Sequence, residues 1–175
     1  TLIGGAGAIR SVASMGAGAV NSLRGVRAGV SETRVLSLGN GEAIYTIDDA
    51  TGLTVRADGV ITGPHTGRGK GQLPEPYGGR ISGEHRGHLI PEGGVDNPEF
   101  VNIPENLISE APSSNLGLKK IYDLRASKIA AENPNSTVRF VSEPVRQFGQ
   151  TRPFAVSHYI LVDGKIVESV SVLNK

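Results

Sequence analysis

Glycine is the feature of this sequence that most restricts its fold. It makes up 24 of the 175 residues, while aromatic residues make up only 5%. Glycine favours turns and weakens the interiors of helices and strands, so the sequence predicts many turns and a modest core. The apolar fraction of 38% and the length still suit one globular domain with an extension, because a domain of ~150 residues hides about two-thirds of its unfolded surface.

Charge and cysteine content exclude some classes of protein. The 18 basic and 17 acidic residues leave a net charge of +1, so the overall charge does not indicate a nucleic-acid-binding protein. Any surface that binds phosphate must come from local clustering of arginine and lysine. There is no cysteine, which excludes disulfide bonds and metal sites with thiolate ligands.

The first 33 residues are rich in glycine and alanine and differ from the rest of the chain. Five glycines and Arg10 interrupt the apolar residues of 1–20. A membrane-spanning helix needs ~20 predominantly apolar residues, so we expect no span here. The segment lacks the basic start of a signal peptide, and its first residue, Thr1, indicates a piece of a longer protein or a processed product. We predict a linker over 1–33 and a folded domain over 34–175.

Short runs of β-favouring residues separated by turn signals begin near residue 35. The first three predict a small antiparallel meander over 35–38, 43–47 and 53–56. Three more predict strands over 137–141, 154–162 and 165–172. Asp163-Gly164 joins the last two and is a strong signal for a two-residue hairpin.

The clearest helix is predicted over 115–132. Ser113 or Ser114 can cap its N-terminus, and Asn133-Pro134-Asn135 ends it. Its apolar residues recur at near-helical spacing, and they are Leu118, Ile121, Leu124 and Ile129. The predicted fold class is therefore α+β, with an antiparallel sheet.

The segment Glu84-His85-Arg86-Gly87-His88 contains residue types suited to phosphodiester hydrolysis. A neutral imidazole can take a proton from water near pH 7, because its unperturbed pKa is ~6.5. An arginine can bind a phosphate through two parallel hydrogen bonds, and a glycine lets the backbone approach a bulky polyanion. An ordinary surface loop is the alternative. Zinc binding by His85 and His88 is another, although no further ligand of fitting type stands nearby.

Asn115 and Asp123 strengthen the catalytic interpretation. They are eight residues apart in the predicted helix, just over two turns, so we expect both on one side. An amide oxygen and a carboxylate are hard ligands suited to Mg²⁺. The alternatives are hydrogen bonding at a helix N-terminus for Asn115, and a solvated charge beside Lys119 or Lys120 for Asp123.

These residues together resemble the DNA/RNA non-specific endonucleases, which are ββα-metal (His-Me finger) enzymes. The family's Asp-Arg-Gly-His motif is matched by His85-Arg86-Gly87-His88, and its Asn-Leu-Val-Pro-Gln segment is matched loosely by 106–110. Asn115-Leu116-Gly117 matches an Asn-x-Gly at the start of a helix, and Asp123 matches an acidic residue eight positions later. The resemblance covers about 80–172. Near its end, Thr151-Arg152-Pro153 and Val162-Asp163-Gly164 resemble the tail of bacterial toxin members.

The resemblance implies a ββα-metal core and a set of residue roles. His88 would be the general base, and Asn115 would be the direct protein ligand of a largely hydrated Mg²⁺ or Mn²⁺. Arg86 would contact the phosphate, and Asp123 would orient water bound to the metal. Asp123 is shorter than the glutamate found in many members.

Some family positions have no plain match in this chain. His85 stands where the family usually has aspartate, and Glu84 is the carboxylate that could replace it. A second arginine often binds substrate in this family, and Arg68 and Arg80 are the candidates. For both, the alternative is a solvated loop charge.

The resemblance also implies a biological setting. It predicts a C-terminal nuclease domain of a secreted toxin, with upstream delivery domains, a cognate immunity protein and action in the cytoplasm of the target cell. Two other functions remain open. One is a catalytically degenerate module that binds nucleic acid or protein, and the other is a nuclease of narrow specificity, such as one that cleaves RNA only.

Overall fold

A computed structural model describes residues 32–65 and 72–175. Its main element is a six-stranded antiparallel sheet. In their order across the sheet, the strands are β1 (Thr33–Leu38), β2 (Ala43–Asp48), β3 (Thr54–Ile61), β6 (Val138–Val145), β7 (Ala155–Val162) and β8 (Lys165–Leu173). The predicted α+β class with an antiparallel sheet is thus confirmed.

All six predicted strands are present, with some longer than expected. The alternation of buried and half-buried residues along β2 reflects a sheet packed on one face. β3 and β6 continue well beyond their predicted ends, to Ile61 and Val145. The predicted hairpin is confirmed, because Asp163 and Gly164 both have positive φ, at 49° and 79°.

A second sheet of two strands was not predicted from the residue pattern. It consists of β4 (His85–His88) and β5 (Leu107–Glu110), which pair antiparallel with His88 opposite Leu107. His-Arg-Gly-His has neither an apolar alternation nor a preference for strands. Its conformation comes from the ladder with β5, which is buried at all four positions.

The single predicted helix is in fact two. A short α1 (Pro112–Leu116) precedes α2 (Leu118–Glu132). The helix is interrupted at Gly117, where φ is −97° and ψ is −121°. The prediction that Asn115 and Asp123 share one helix is therefore wrong. A Cβ at position 117 would lie 2.4 Å from the Ser113 carbonyl oxygen, so only glycine fits this break. The end of α2 at Glu132 agrees with the prediction.

The predicted serine cap is also wrong, and of the four residues in the predicted apolar stripe Ile129 alone is buried. Ser113 and Ser114 donate instead to the backbone carbonyls of Lys175 and Leu173. Leu118, Ile121 and Leu124 are 60–65% exposed. The face that packs on the sheet carries Ile129 together with Tyr122, Ala126 and Ala130.

One hydrophobic core joins the main sheet to α2 and the small sheet. Tyr122 of α2 packs on Phe140 of β6, with ring centroids 5.8 Å apart. Ile90, just after β4, packs onto β3 at Gly59. A Cβ added to Gly59 would lie 2.4 Å from the Ile90 side chain. This contact holds the chain that follows His88 against the sheet.

Two predictions concern residues outside those described. The predicted linker over 1–33 falls there except for its last two residues, and so does Arg68. Among the described residues, no helix is long and apolar enough to cross a membrane.

Candidate active site

A cleft of about 440 Å³ lies between β4, the helices and the loops on either side of β4. Arg86 and His88 line it from β4, where alternate residues point to the same face. Asn115 of α1 and Asp123 of α2 line it from the helical side. Four of the predicted site residues thus face one cleft, even though a helix break separates Asn115 from Asp123.

Two buried asparagines fix the backbone around this cleft through hydrogen bonds. Asn106 donates to the carbonyls of Ile90 and Val101 and accepts from the Ile90 N–H, which ties the chain after β4 to the start of β5. Asn174 accepts from the Ala111 N–H and donates to the Ser109 carbonyl, so the end of the chain fixes the start of α1. Residues 106–110, which match the family's Asn-Leu-Val-Pro-Gln segment, therefore support the structure around the cleft.

His88 is half-buried and is held by one side-chain hydrogen bond. Its Nε2 lies 2.8 Å from Oδ1 of Asn102, and Nδ2 of Asn102 donates to Oε1 of Glu92 at 2.9 Å. Burial lowers the pKa of His88 below its usual value, although the Asn102 bond and the charges of Glu92 and Asp123 oppose this. A neutral imidazole is thus favoured near pH 7, the form that can accept a proton.

His85 lies on the opposite face of β4 from His88, because the two are three residues apart in a strand. Its Nδ1 accepts a hydrogen bond from Nδ2 of Asn115 at 3.1 Å. This bond leaves the amide oxygen of Asn115, the harder ligand atom, without a hydrogen-bond partner among the described residues. The arrangement disfavours a zinc site built on His85 and His88 together.

A buried charge cluster adjoins the cleft, which two of its members, Lys119 and Asp123, line. Lys119 is only 3% exposed, and its Nζ lies 2.8 Å from Oδ2 of Asp123. Burial alone would lower the pKa of Lys119, but Asp123 and Glu110 outweigh it, and the pKa is raised. Burial raises the pKa of Glu110 to about 7, with Lys119 acting against it. The alternative of a solvated charge for Asp123 does not hold, because Asp123 is paired with the buried Lys119.

Gly87 is required by a close contact within the protein. A Cβ at this position would lie 1.8 Å from Oε2 of Glu110. The glycine therefore makes room for the side chain of Glu110, which extends from the neighbouring strand β5. No larger residue fits between His88 and Arg86 without moving that carboxylate.

Glu84, Arg80 and Arg86 are each held by ion pairs or hydrogen bonds. Glu84 contacts Arg152, with Oε1 and Nη2 2.6 Å apart, and does not line the cleft. Burial works to raise the pKa of Glu84, but hydrogen bonds from Arg152 and Ser109 lower it. Arg80 donates to the Glu84 carbonyl and also lies outside the cleft. Arg86 lines the cleft and is paired with Glu75.

Sequence analysis did not identify Asn102, Glu92 and Glu110 as parts of the site. Asn102 and Glu92 stand in an irregular loop with short 3-10 turns and no motif, so no sequence signal marks them. Glu110 was read only as the end of the Asn106 segment. Among the residues described, no group of three or more histidine, aspartate or glutamate side chains could hold a metal ion.

Comparison with known proteins establishes the fold. No protein-family model and no curated protein matches this chain. A solved structure, that of Sda1 nuclease with a bound zinc ion, is similar at 20% sequence identity, with a TM-score of 0.55. The similarity covers 75% of this chain and 76% of that one. The chain therefore shares the α+β fold of that protein across most of its length.

Proposed function

We propose that this protein is a metal-dependent, non-specific endonuclease that hydrolyses phosphodiester bonds of DNA, RNA or both. Its ββα-metal core would consist of β4, β5 and the helical segment that follows. The observation that carries the proposal is that His88 and Asn115, distant in sequence, line the same cleft together with Arg86. The fold shared with a protein described as a nuclease adds support.

His88 supplies the base in this proposal. Its pKa is lowered by burial, so its neutral form predominates near pH 7 and can take a proton from the attacking water. Arg86 has a planar guanidinium that can bind two phosphate oxygens at once. It is now paired with Glu75, so substrate would have to take over that interaction.

The residues of the cleft fit a hydrated divalent metal ion. Asn115 offers a free amide oxygen, and Oδ1 of Asp123 is buried without a hydrogen-bond partner among the described residues. Two such oxygens suit Mg²⁺ or Mn²⁺, which keep several waters, and do not suit a closed zinc site of four protein ligands. When bound, the ion would supply positive charge for the phosphorane and the leaving oxygen.

Asn115→Ala is expected to lower metal affinity as well as the cleavage rate, because it removes the proposed direct ligand. The Mg²⁺ concentration needed for half-maximal cleavage should rise ~10-fold or more, in line with the loss of a metal-site group. Asp123→Ala should have a smaller effect on that concentration. Metal titrations of plasmid cleavage measure both. An unchanged Mg²⁺ dependence in folded Asn115→Ala protein would exclude Asn115 as a ligand.

The substrate range is part of the proposal and is tested in parallel. Equal amounts of duplex DNA, single-stranded DNA and single-stranded RNA should all be cleaved, with binding that weakens as salt increases because it depends on phosphate contacts. Cleavage of RNA alone would favour the narrow-specificity alternative. Binding to these polymers without cleavage in any divalent metal would favour a degenerate binding module.

A role as a toxin domain also remains a proposal. It would require delivery by upstream domains, action in the cytoplasm of a target cell and neutralisation by an immunity protein. Exposed apolar residues beside the cleft, including Leu116 and Leu124, are of the kind that protein partners cover. Expression of the domain with intact His88 should therefore stop growth of a host that lacks a neutralising partner.

A further inference from the structure

Asn102 and Glu92 form a chain of hydrogen bonds that ends on His88. Oε1 of Glu92 accepts from Nδ2 of Asn102 at 2.9 Å, and Oδ1 of Asn102 lies 2.8 Å from Nε2 of His88. Neither Asn102 nor Glu92 is part of the sequence motifs discussed above. Asn102 is half-buried, and it lies on the loop that joins the two halves of the small sheet.

The chemistry of these groups fixes which of them donates. An ionised carboxylate only accepts, so the side of Asn102 that faces Glu92 must be its NH₂ group. The side that faces His88 is then the amide oxygen, which also only accepts. Nε2 of His88 must therefore carry the proton, and in the neutral ring Nδ1 is left with the lone pair.

We propose that Asn102, oriented by Glu92, is a positioning residue that keeps the His88 proton on Nε2 and so makes Nδ1 the proton-accepting atom. This inference rests on the proposed function for its catalytic meaning. Its structural content, the tautomer of His88, stands independently of any cleavage. His88 lines the cleft, and its Nδ1 has no hydrogen-bond partner among the described residues.

Glu92 is required because an amide by itself does not select an orientation. The oxygen and NH₂ ends of asparagine have nearly the same shape, and a rotated Asn102 would present NH₂ to Nε2. That orientation needs an unprotonated Nε2 and moves the proton to Nδ1, where it blocks the base. The carboxylate of Glu92 stabilises only the first orientation.

Other charges around His88 do not replace this control. Lys119, Asp123 and Glu92 all act on its pKa, with Lys119 lowering it and the two carboxylates raising it. Only Asn102 is hydrogen-bonded to the ring among the described residues. Charges at a distance change how strongly the ring holds a proton, whereas the direct partner decides which nitrogen holds it.

The tautomer can be read directly by ¹H–¹⁵N NMR of the intact protein labelled at histidine. In the wild type at neutral pH, His88 should show the pattern of a ring protonated at Nε2. In Glu92→Gln, both orientations of Asn102 become possible, and the Nδ1–H form of His88 should appear. The other three histidines serve as internal controls. A wild-type His88 protonated at Nδ1, or an unchanged pattern in Glu92→Gln, would overturn the proposal.

A double variant provides the rescue. Asn102→Asp with Glu92→Gln exchanges donor and acceptor between the two positions, so a carboxylate again accepts from Nε2 while the two side chains remain hydrogen-bonded. Its NMR pattern should return to the Nε2–H form. Because a carboxylate beside imidazole raises the pKa of His88, the acidic limb of its pH–rate profile should move to higher pH.

Kinetics separate this role from a merely structural one. Asn102→Leu keeps the branched shape but offers no acceptor, and its kcat should fall at least ~10-fold while KM changes little. The double variant, which keeps an acceptor at position 102, should show a much smaller fall in kcat than Asn102→Leu at alkaline pH. If the double variant restores the tautomer and the protein cleaves nothing, the proposed function fails while the positioning role stands. If cleavage is normal in Asn102→Leu, the positioning role fails alone.

Discussion

Replacement of His88 by alanine is expected to lower the rate of nucleic-acid cleavage by about 10²- to 10⁴-fold, the usual contribution of a general base. His88 is the imidazole whose Nε2 is fixed by Asn102 and whose pKa is lowered by burial, so it is both oriented and neutral near pH 7. Alanine removes the proposed proton acceptor and leaves Arg86 and Asn115 in place. Substrate and metal binding should therefore change much less than kcat.

The assay for His88→Ala is cleavage of supercoiled plasmid at saturating Mg²⁺, followed over time. Thermal unfolding of the same preparation shows whether the variant is folded. We expect it to fold, because His88 is only half-buried. Added imidazole should restore part of the lost activity by entering the space left by the side chain. A folded His88→Ala protein that cleaves at the wild-type rate would remove His88 from the mechanism.

Lys119→Met is expected to have the largest effect on stability. Lys119 is 3% exposed and paired with Asp123 in the cleft wall. Loss of one partner leaves the other charge buried and unpaired, which costs about 3–5 kcal/mol. For a domain of this size that corresponds to a fall in Tm of roughly 6–20 °C. Lys120→Met, at the adjacent exposed position, is the matched control and should change Tm little.

The deficit of Lys119→Met should also grow with pH. Lys119 acts to lower the pKa of Glu110, which burial nevertheless raises to about 7. A group whose pKa is raised on folding contributes stability below its unfolded pKa and loses it as pH rises through the folded pKa. Without Lys119 that folded pKa rises further, so urea unfolding at about pH 8 should show a larger deficit than at about pH 6. Equal Tm values for Lys119→Met and Lys120→Met would contradict a stabilising ion pair between Lys119 and Asp123.

The strands of the main sheet could be predicted because their signals are local. Alternating apolar residues along β2 and the Asp163-Gly164 turn each depend on a few neighbouring positions. The small sheet could not be predicted in this way. His85–His88 forms a strand only because Leu107–Glu110 pairs with it, and that pairing joins distant parts of the chain.

The helical segment shows a second limit of sequence reasoning. Periodicity placed Leu118, Ile121 and Leu124 on an apolar face, but the break at Gly117 and the packing of Tyr122 on Phe140 set a different face inward. Asn115 and Asp123 line the cleft because of the tertiary fold, not because they share a helix. The motif indicated residues that line one cleft, whereas the shared helix that the spacing predicted for them was wrong.

The most direct measurement of the central claim is cleavage of plasmid DNA and of a long single-stranded RNA by the wild-type protein, with Mg²⁺, Mn²⁺ or Zn²⁺ added in turn and then removed by a chelator. We predict cleavage that requires a divalent ion, is supported by Mg²⁺ or Mn²⁺ and stops on chelation. Cleavage that persists in excess chelator, or no cleavage of either polymer with any of the three ions, would contradict a metal-dependent nuclease site in this cleft.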